Sequence, residues 1–313
     1  MGNIGFGYYI FQDGLTFAKI RKIALECERL GFDSLWLKDN FSPWLHMWFK
    51  GQKVKPDADF LECWTTLSAL AVITKRIQIG CVLVNLYREP SLVAKMASTL
   101  DSISQGRLEL GLSAGWNKEE CIAYGMAFPP KSTRREMLAE ATKVIKKMWT
   151  EERASFSGKH YKLRGAVCWP KPAQRPRPAL WIGGRADETL KIAARESDGW
   201  VYGLCKKERY IAAIRRLKEE CKRVGRDWST LAKAWSGVVI IDEQGSRTKG
   251  DEGEGKNRKN PTETAIIGTS EEVASELRTY LDYGVTNFIP TFAAGYTSER
   301  LRRLASKVMP LVR

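Results

Sequence analysis

The chain has 313 residues, 43% of them hydrophobic, which is enough to bury one large core and falls in the range of a single barrel domain with room for insertions. Its 51 Lys and Arg against 36 Asp and Glu leave a net charge of +15; the basic residues are spread over helical stretches and mixed with glutamates, without an RNA-binding aromatic signature or a zinc finger, so no nucleic-acid partner is expected and attraction of an anionic ligand is the better use of the field. No apolar run approaches the roughly 20 residues of a membrane helix, and the start MGNIGFGYYIFQDG lacks a basic-then-apolar leader, so a cytoplasmic protein with no membrane partner is expected.

Apolar runs alternate with amphipathic patterns from end to end, the signature of repeated strand–helix units on a parallel sheet. Residues 4–11 read as the first strand. Phe17, Ile20, Ile23, Ala24, Cys27 and Leu30 follow at helical spacing, with Thr16 as cap and Gly31 as stop. SLWLK (34–38) is strand two, followed by a helix over 61–73. Strand three is 77–84, with a continuous buried character, and Pro90 opens a helix running to 104. Strand four is 107–113, then helical patterns over 119–124 and 134–149. Strand five is 179–182 with a helix over 187–196, strand six 199–202 with a helix over 208–224, and strand seven 234–241. Ser270 is the expected cap of a helix over 270–283, stopped by Gly284. Strand eight is 287–291, and the last helix covers 298–308. Eight strands, each followed by a helix, are what a closed barrel requires; an open doubly wound sheet is the second choice.

Two stretches exceed short connections. Residues 150–178, rich in Gly and Pro, read as an ordered excursion with a small hairpin at FSGKHYKL. Residues 242–264 are charged and glycine-rich, either a lid or plain disorder. Within the latter, Gly250 to Asn257 nearly matches a phosphate-binding loop. Asn257 replaces the required Ser or Thr, and the flanking strand and helix are missing, so the match is rejected. No Rossmann glycine fingerprint and no nucleophile elbow occur. Seven scattered cysteines form no C-x-x-C pair. His46 and His160 are the only imidazoles, and no metal site is expected.

In a barrel, reacting groups sit at the C-terminal ends of the strands. Polar and glycine residues gather there: Asp39-Asn40-Phe41-Ser42-Pro43-Trp44-Leu45-His46 after strand two; Asn85, Tyr87 and Arg88 after strand three; Ser113-Ala114-Gly115-Trp116-Asn117 after strand four; Gly183-Gly184-Arg185 after strand five. Glycines let backbone approach a planar or phosphorylated ligand, and N–H groups at a helix start suit a phosphate. Each glycine alone is better explained by a turn.

Taken together, ERLGFDSLWLKDNFSPW, RIQIGCVL, REPSLVAKMASTLDSISQGRLELGLSAGWNKEECIAYGMAFPP, FSGKHYKL with WPKPAQ, LWIGGRADETLKIAARESDGW, and IIGTSEEV with YGVTNF resemble the luciferase-like flavin/deazaflavin oxidoreductase superfamily over nearly the whole chain. Asp39, Phe41, Pro43, Trp44 and Gly115-Trp116 look most like members using the deazaflavin coenzyme F420. The resemblance implies an α/β fold, a (β/α)8 TIM barrel in one domain over 1–313, with insertions after strand four (150–178) and strand seven (242–264). It implies a homodimer, and hydride transfer between F420 and a small-molecule substrate. The alternative is an FMN-dependent monooxygenase using reduced FMN and oxygen; a third reading is a binding protein that kept the barrel and lost turnover.

The resemblance also implies a ring in the barrel mouth, with Asp39, Cys81, Val82, Val84, Gly115, Trp116, Gly183 and Gly184 toward the coenzyme. Asp39, Asn40, Trp44 and His46 fall at the reacting edge, and Trp48 is a further candidate wall. Members often carry a non-prolyl cis peptide at the end of strand three, here Gly80–Cys81 or Cys81–Val82. Many carry His after the strand-two Asp; Asn40 stands here, and an amide does not shuttle protons near neutral pH. His46 is either its substitute or structural. Trp116 occupies the place of the acidic Glu of sugar-phosphate members, so glucose 6-phosphate is not expected as substrate.

Overall fold

The computed structural model describes residues 4–43, 58–243, 264–292 and 295–313. Its strands are β1 (Gly5–Ile10), β2 (Ser34–Lys38), β3 (Gln78–Val84), β4 (Leu108–Ser113), β5 (Ala154–Ser157), β6 (Lys162–Ala166), β7 (Ala179–Gly183), β8 (Gly199–Gly203), β9 (Ala232–Ile241), β10 (Ile266–Gly268) and β11 (Asn287–Phe292). The sheet runs β10-β9-β11-β1-β2-β3-β4-β7-β8, and β8 pairs back onto β9, which closes a ring. Every pairing in that ring is parallel. The chain therefore forms a closed (β/α)8 barrel, and the open-sheet alternative is set aside.

Between the strands run α1 (Phe17–Arg29), α2 (Cys63–Ile73), α3 (Pro90–Ile103), α4 (Lys118–Ala123), α5 (Lys131–Thr150), α6 (Asp187–Glu196), α7 (Lys207–Arg223) and α8 (Ser270–Leu281), and α9 (Ser298–Arg303) follows β11. Alternation along each strand sorts the side chains. Leu35 and Leu37, Ile79 and Leu83, Leu110 and Leu112 point outward and share one core with the helices. Trp36, Trp181, Val201, Ala234 and Ile289 point inward and fill the lumen. Trp36 and Trp181 meet edge to face, with centroids 5.9 Å apart. Glycine makes the room: a Cβ at Gly199 would lie 2.2 Å from the Trp181 ring, and one at Gly80 2.9 Å from Trp36. The Trp36 indole donates to Ser34 Oγ at 2.9 Å, and the Trp181 indole donates to Glu109.

Three local expectations change. Thr269, not Ser270, caps α8, through a capping box with Glu272, and Ser270 is the first helical residue. The short strand β10 extends the sheet beyond the eight barrel strands by pairing with Val239–Ile241 of β9. The chain leaves β3 in the trans form: the cis bonds among the described residues are Trp169–Pro170 and Arg175–Pro176. β3 pairs without a bulge through Val82 on the β2 side and Val84 on the β4 side, so nothing displaces it from the trans geometry that peptides favour.

β5 and β6 form an antiparallel hairpin within 150–178. The Glu140 carboxylate of α5 accepts the backbone N–H groups of Lys159, His160 and Tyr161 at 2.8–3.0 Å. The Tyr161 hydroxyl accepts from Asn85, tying the hairpin to the loop after β3. His160 pairs with Glu136 on this outer face, away from the strand ends. Residues 244–263, with the rejected phosphate-loop match and most of the 242–264 stretch, lie outside the described residues. No described helix is long and apolar enough to cross a membrane.

Candidate active site

The C-terminal ends of the barrel strands surround a cavity of about 520 Å³. Inward alternation on β3 places Val82 and Val84 on its wall, with Ile289 of β11, Val201 of β8 and Trp36 below them. Asn40, Asp39, Gly115, Trp116, Gly183 and Gly184 also line it, so most of the residues expected at the mouth are brought together. Gly115 and Gly184 have φ of +78° and +122°, values that side chains resist. Trp116 is half exposed at the rim. Trp44, His46 and Trp48 lie outside the described residues.

Cys81 is not at the mouth. The same alternation that turns Val82 inward turns Cys81 outward, where it is fully buried against Cys63 of α2. Its expected contact with a coenzyme is corrected to packing between sheet and helices.

Asp39 is buried and fully engaged. Arg88 Nη1 donates to both its oxygens at 3.0 Å, and the Val84 N–H donates to Oδ2 at 2.8 Å. Arg88 in turn donates to Glu62, the N-cap residue of α2, at 2.6 Å. Burial pushes the Asp39 carboxyl up to about 6, against the opposing pull of Arg88 and the Val84 amide. It remains an anion at neutral pH and acts as a rivet between β2, β3 and α2.

Asn40 donates to Glu120 Oε2 at 2.9 Å. The other Glu120 oxygen accepts the Phe41 N–H at 2.9 Å and Ser42 at 3.3 Å, and Tyr87 donates to the same carboxylate as Asn40. Glu120 thus clasps the loop after β2 from α4. It was missed in sequence because α4 is one short helix whose pattern reads only as amphipathic.

Two further features were not legible as site residues. Lys38, the last residue of β2, points inward to the cavity and pairs with Asp13. Burial pulls its ammonium down to about 8, with Asp13 opposing. The rim carries Lys131, Arg134, Arg135 and Arg185. Arg134 lies over the Phe128 ring and donates to the Ala114 and Pro129 carbonyls, fixing the loop that holds Gly115. The signal available in sequence was the first turn of α5, KSTRR, which gathers cations where the helix dipole disfavours them and has no acidic residue.

The arrangement offers an apolar, glycine-edged slot with cations at its entrance. Among the described residues no group of His, Cys, Asp and Glu is arranged to hold a metal.

The sequence profile of the luciferase-like monooxygenase family matches residues 6–249. An F420-dependent glucose-6-phosphate dehydrogenase of Kineococcus radiotolerans is 30% identical over 197 residues, covering 62% of this chain and 55% of that one. A protein of the same description from Amycolatopsis mediterranei is 26% identical over 321 residues, 93% of each chain. The chain therefore spans little more than half the length of the first relative and nearly all of the second. Among solved structures, an F420-dependent secondary alcohol dehydrogenase in complex with an F420–acetone adduct is similar at a TM-score of 0.83 and 20% identity, over 100% of both chains, a likeness of fold. On the profile match, which extends over most of its length, this chain belongs to the luciferase-like monooxygenase family.

Proposed function

We propose that the chain is an oxidoreductase that transfers a hydride between coenzyme F420 and a small organic substrate. The observation that carries this reading is the mouth: an open slot with valine walls, glycine edges and a rim of Lys131, Arg135 and Arg185. The slot fits a planar ring bearing an anionic tail. A Cβ at Gly183 would lie 2.9 Å from Val82 Cγ1, so a side chain there would fill the space that a ring needs. The rim donors suit a phosphate and an acidic tail. The activities carried by two relatives favour the same coenzyme.

When bound, the deazaflavin supplies the carbon centre that takes up or releases hydride. Val82 and Val84 would support one face, and Trp116 would shield the other from water. Asp39 would hold Val84 in place rather than transfer a proton, since both its oxygens are occupied. Asn40 would orient rather than titrate. Trp116 at the rim argues against glucose 6-phosphate despite the relatives' activity. We also propose a single-domain homodimer in the cytoplasm, on the family resemblance.

Equilibrium titration of the purified protein with F420, followed by fluorescence, tests the reading. Saturable binding is expected; no binding at high coenzyme overturns it. The family description favours a second reading, an FMN-dependent monooxygenase. Oxygen uptake driven by reduced FMN and dependent on an organic substrate would install that reading instead.

A further inference from the structure

Lys38 and Asp13 form an ion pair at the strand ends whose two side chains are nearly inaccessible to solvent. A buried pair of this kind is weak evidence of stabilisation, because desolvation offsets most of the attraction. Its position is informative. Lys38 faces the cavity beside Asn40, and its ammonium lies 4.5 Å from the Phe11 ring centroid and 5.3 Å from that of Phe60. Its backbone is clamped on both sides: Gln12 Oε1 accepts the Lys38 N–H at 2.9 Å, and Gln12 Nε2 donates to the Lys38 carbonyl at 3.0 Å. Asp39 and Glu120 are fully engaged as acceptors of Arg88, Asn40, Tyr87 and backbone N–H groups. Asn40 carries no exchangeable acid.

We propose that Lys38, held by Asp13, is the proton donor to the substrate at the barrel mouth. The inference rests on the hydride-transfer reading above. In the reducing direction the coenzyme, when bound, would supply a hydride with its electron pair to the carbon of a carbonyl compound. The carbonyl π pair takes the proton released by Lys38 and becomes an O–H bond. Lys38 is left as a neutral amine, which water reprotonates. In the oxidising direction the same amine accepts the hydroxyl proton.

Burial favours that amine and draws the ammonium toward neutrality, and Asp13 limits the shift. The charged groups facing Lys38 among the described residues are Asp13 from the loop after β1 and Glu120 from α4; Tyr9 of β1 and Asp39 border the same cavity.

The test has two arms on the full chain. Competitive acetylation with acetic anhydride, read by mass spectrometry across pH on the coenzyme-free protein, reports the Lys38 midpoint directly. A midpoint near 8 is expected, and Asp13→Asn should lower it further. In the second arm, Lys38→Met should bind F420 as the wild type does, yet reduce cyclohexanone with reduced F420 about 10²–10⁴-fold more slowly. Lys38→Arg, which keeps the charge but not the labile proton, should also bind F420 and recover little of the rate. A midpoint at the ordinary lysine value of about 10.4, no labelling at any pH, or an unchanged rate in Lys38→Met overturns the proposal. Failure of the wild type to bind F420 overturns the coenzyme reading instead, and the two failures are distinguishable.

Discussion

Glu109 points into the lumen from β4, beneath the cavity, where it accepts the Trp181 indole N–H and has little access to water. Burial pushes its carboxyl up to about 7, opposed by the Trp181 hydrogen bond and reinforced by Asp198. A carboxyl raised in the folded state binds its proton more tightly there than in the unfolded chain. Its contribution to stability is complete below the unfolded value and is lost as pH rises through about 7. Glu28, Glu62 and Glu140, which are lowered, add only a small opposing slope just above pH 5, whereas Asp39, raised to about 6, adds a loss of the same sign as Glu109. Denaturant unfolding at pH 5 and pH 8 should show the wild type losing stability, up to about 3 kcal/mol from this group. Glu109→Gln should reduce that difference to the part that Asp39 contributes, and an equal slope in both proteins would remove Glu109 from the account. At this scale Asp39 and Asn40 were legible, because polar residues closing an apolar strand stand out. Lys38 and Glu120 were not. Their importance comes from partners 25 and 80 positions distant in sequence, Asp13 and Asn40, which period and spacing do not report.

The eight strand–helix units were readable because buried parallel strands give continuous apolar runs and surface helices a 3.6-residue period. Helix α8 was shifted by one residue because Thr269 and Ser270 are both competent caps, and only the reciprocal bond to Glu272 decides between them. Strand β10 has three residues, too few for a pattern to register. Loop chemistry was legible as glycine; its charge was less so. Gly184, Arg185 and Ala186 bring the start of α6 to the cavity beside the cationic first turn of α5, where Arg135 pairs with Glu188 at 2.8 Å. Acting together, these two helix starts are expected to hold the anionic part of a coenzyme. Arg185→Ala should weaken F420 binding by about tenfold, the worth of one charge-assisted hydrogen bond. The dependence of affinity on salt should become shallower, because the rim is open to solvent and screened. Isothermal titration at two ionic strengths checks this; unchanged affinity at low salt would place the anion elsewhere.

For the whole molecule, the lumen is a packed floor rather than a channel, and the cavity exists because that floor stops short of the strand ends. Trp181 fixes its height, wedged against Trp36 and hydrogen-bonded to Glu109, in space that Gly199 leaves open. Gly199→Ala should destabilise the fold by about 1–3 kcal/mol, since the ring has no free end to move aside; a thermal or denaturant midpoint matching the wild type would show the floor to be compliant. The barrel's closure is uneven. β3 and β4 align over six residue pairs, whereas β1 and β11 align over two, Gly5 with Asn287 and Phe6 with Phe288. The hoop is therefore fastened between the first and the last barrel strand in chain order. Until residues 287–292 emerge from the ribosome, the nascent chain is an arc with two raw edges, each presenting unpaired amides to its neighbours. Soldering that short seam hides both edges at once.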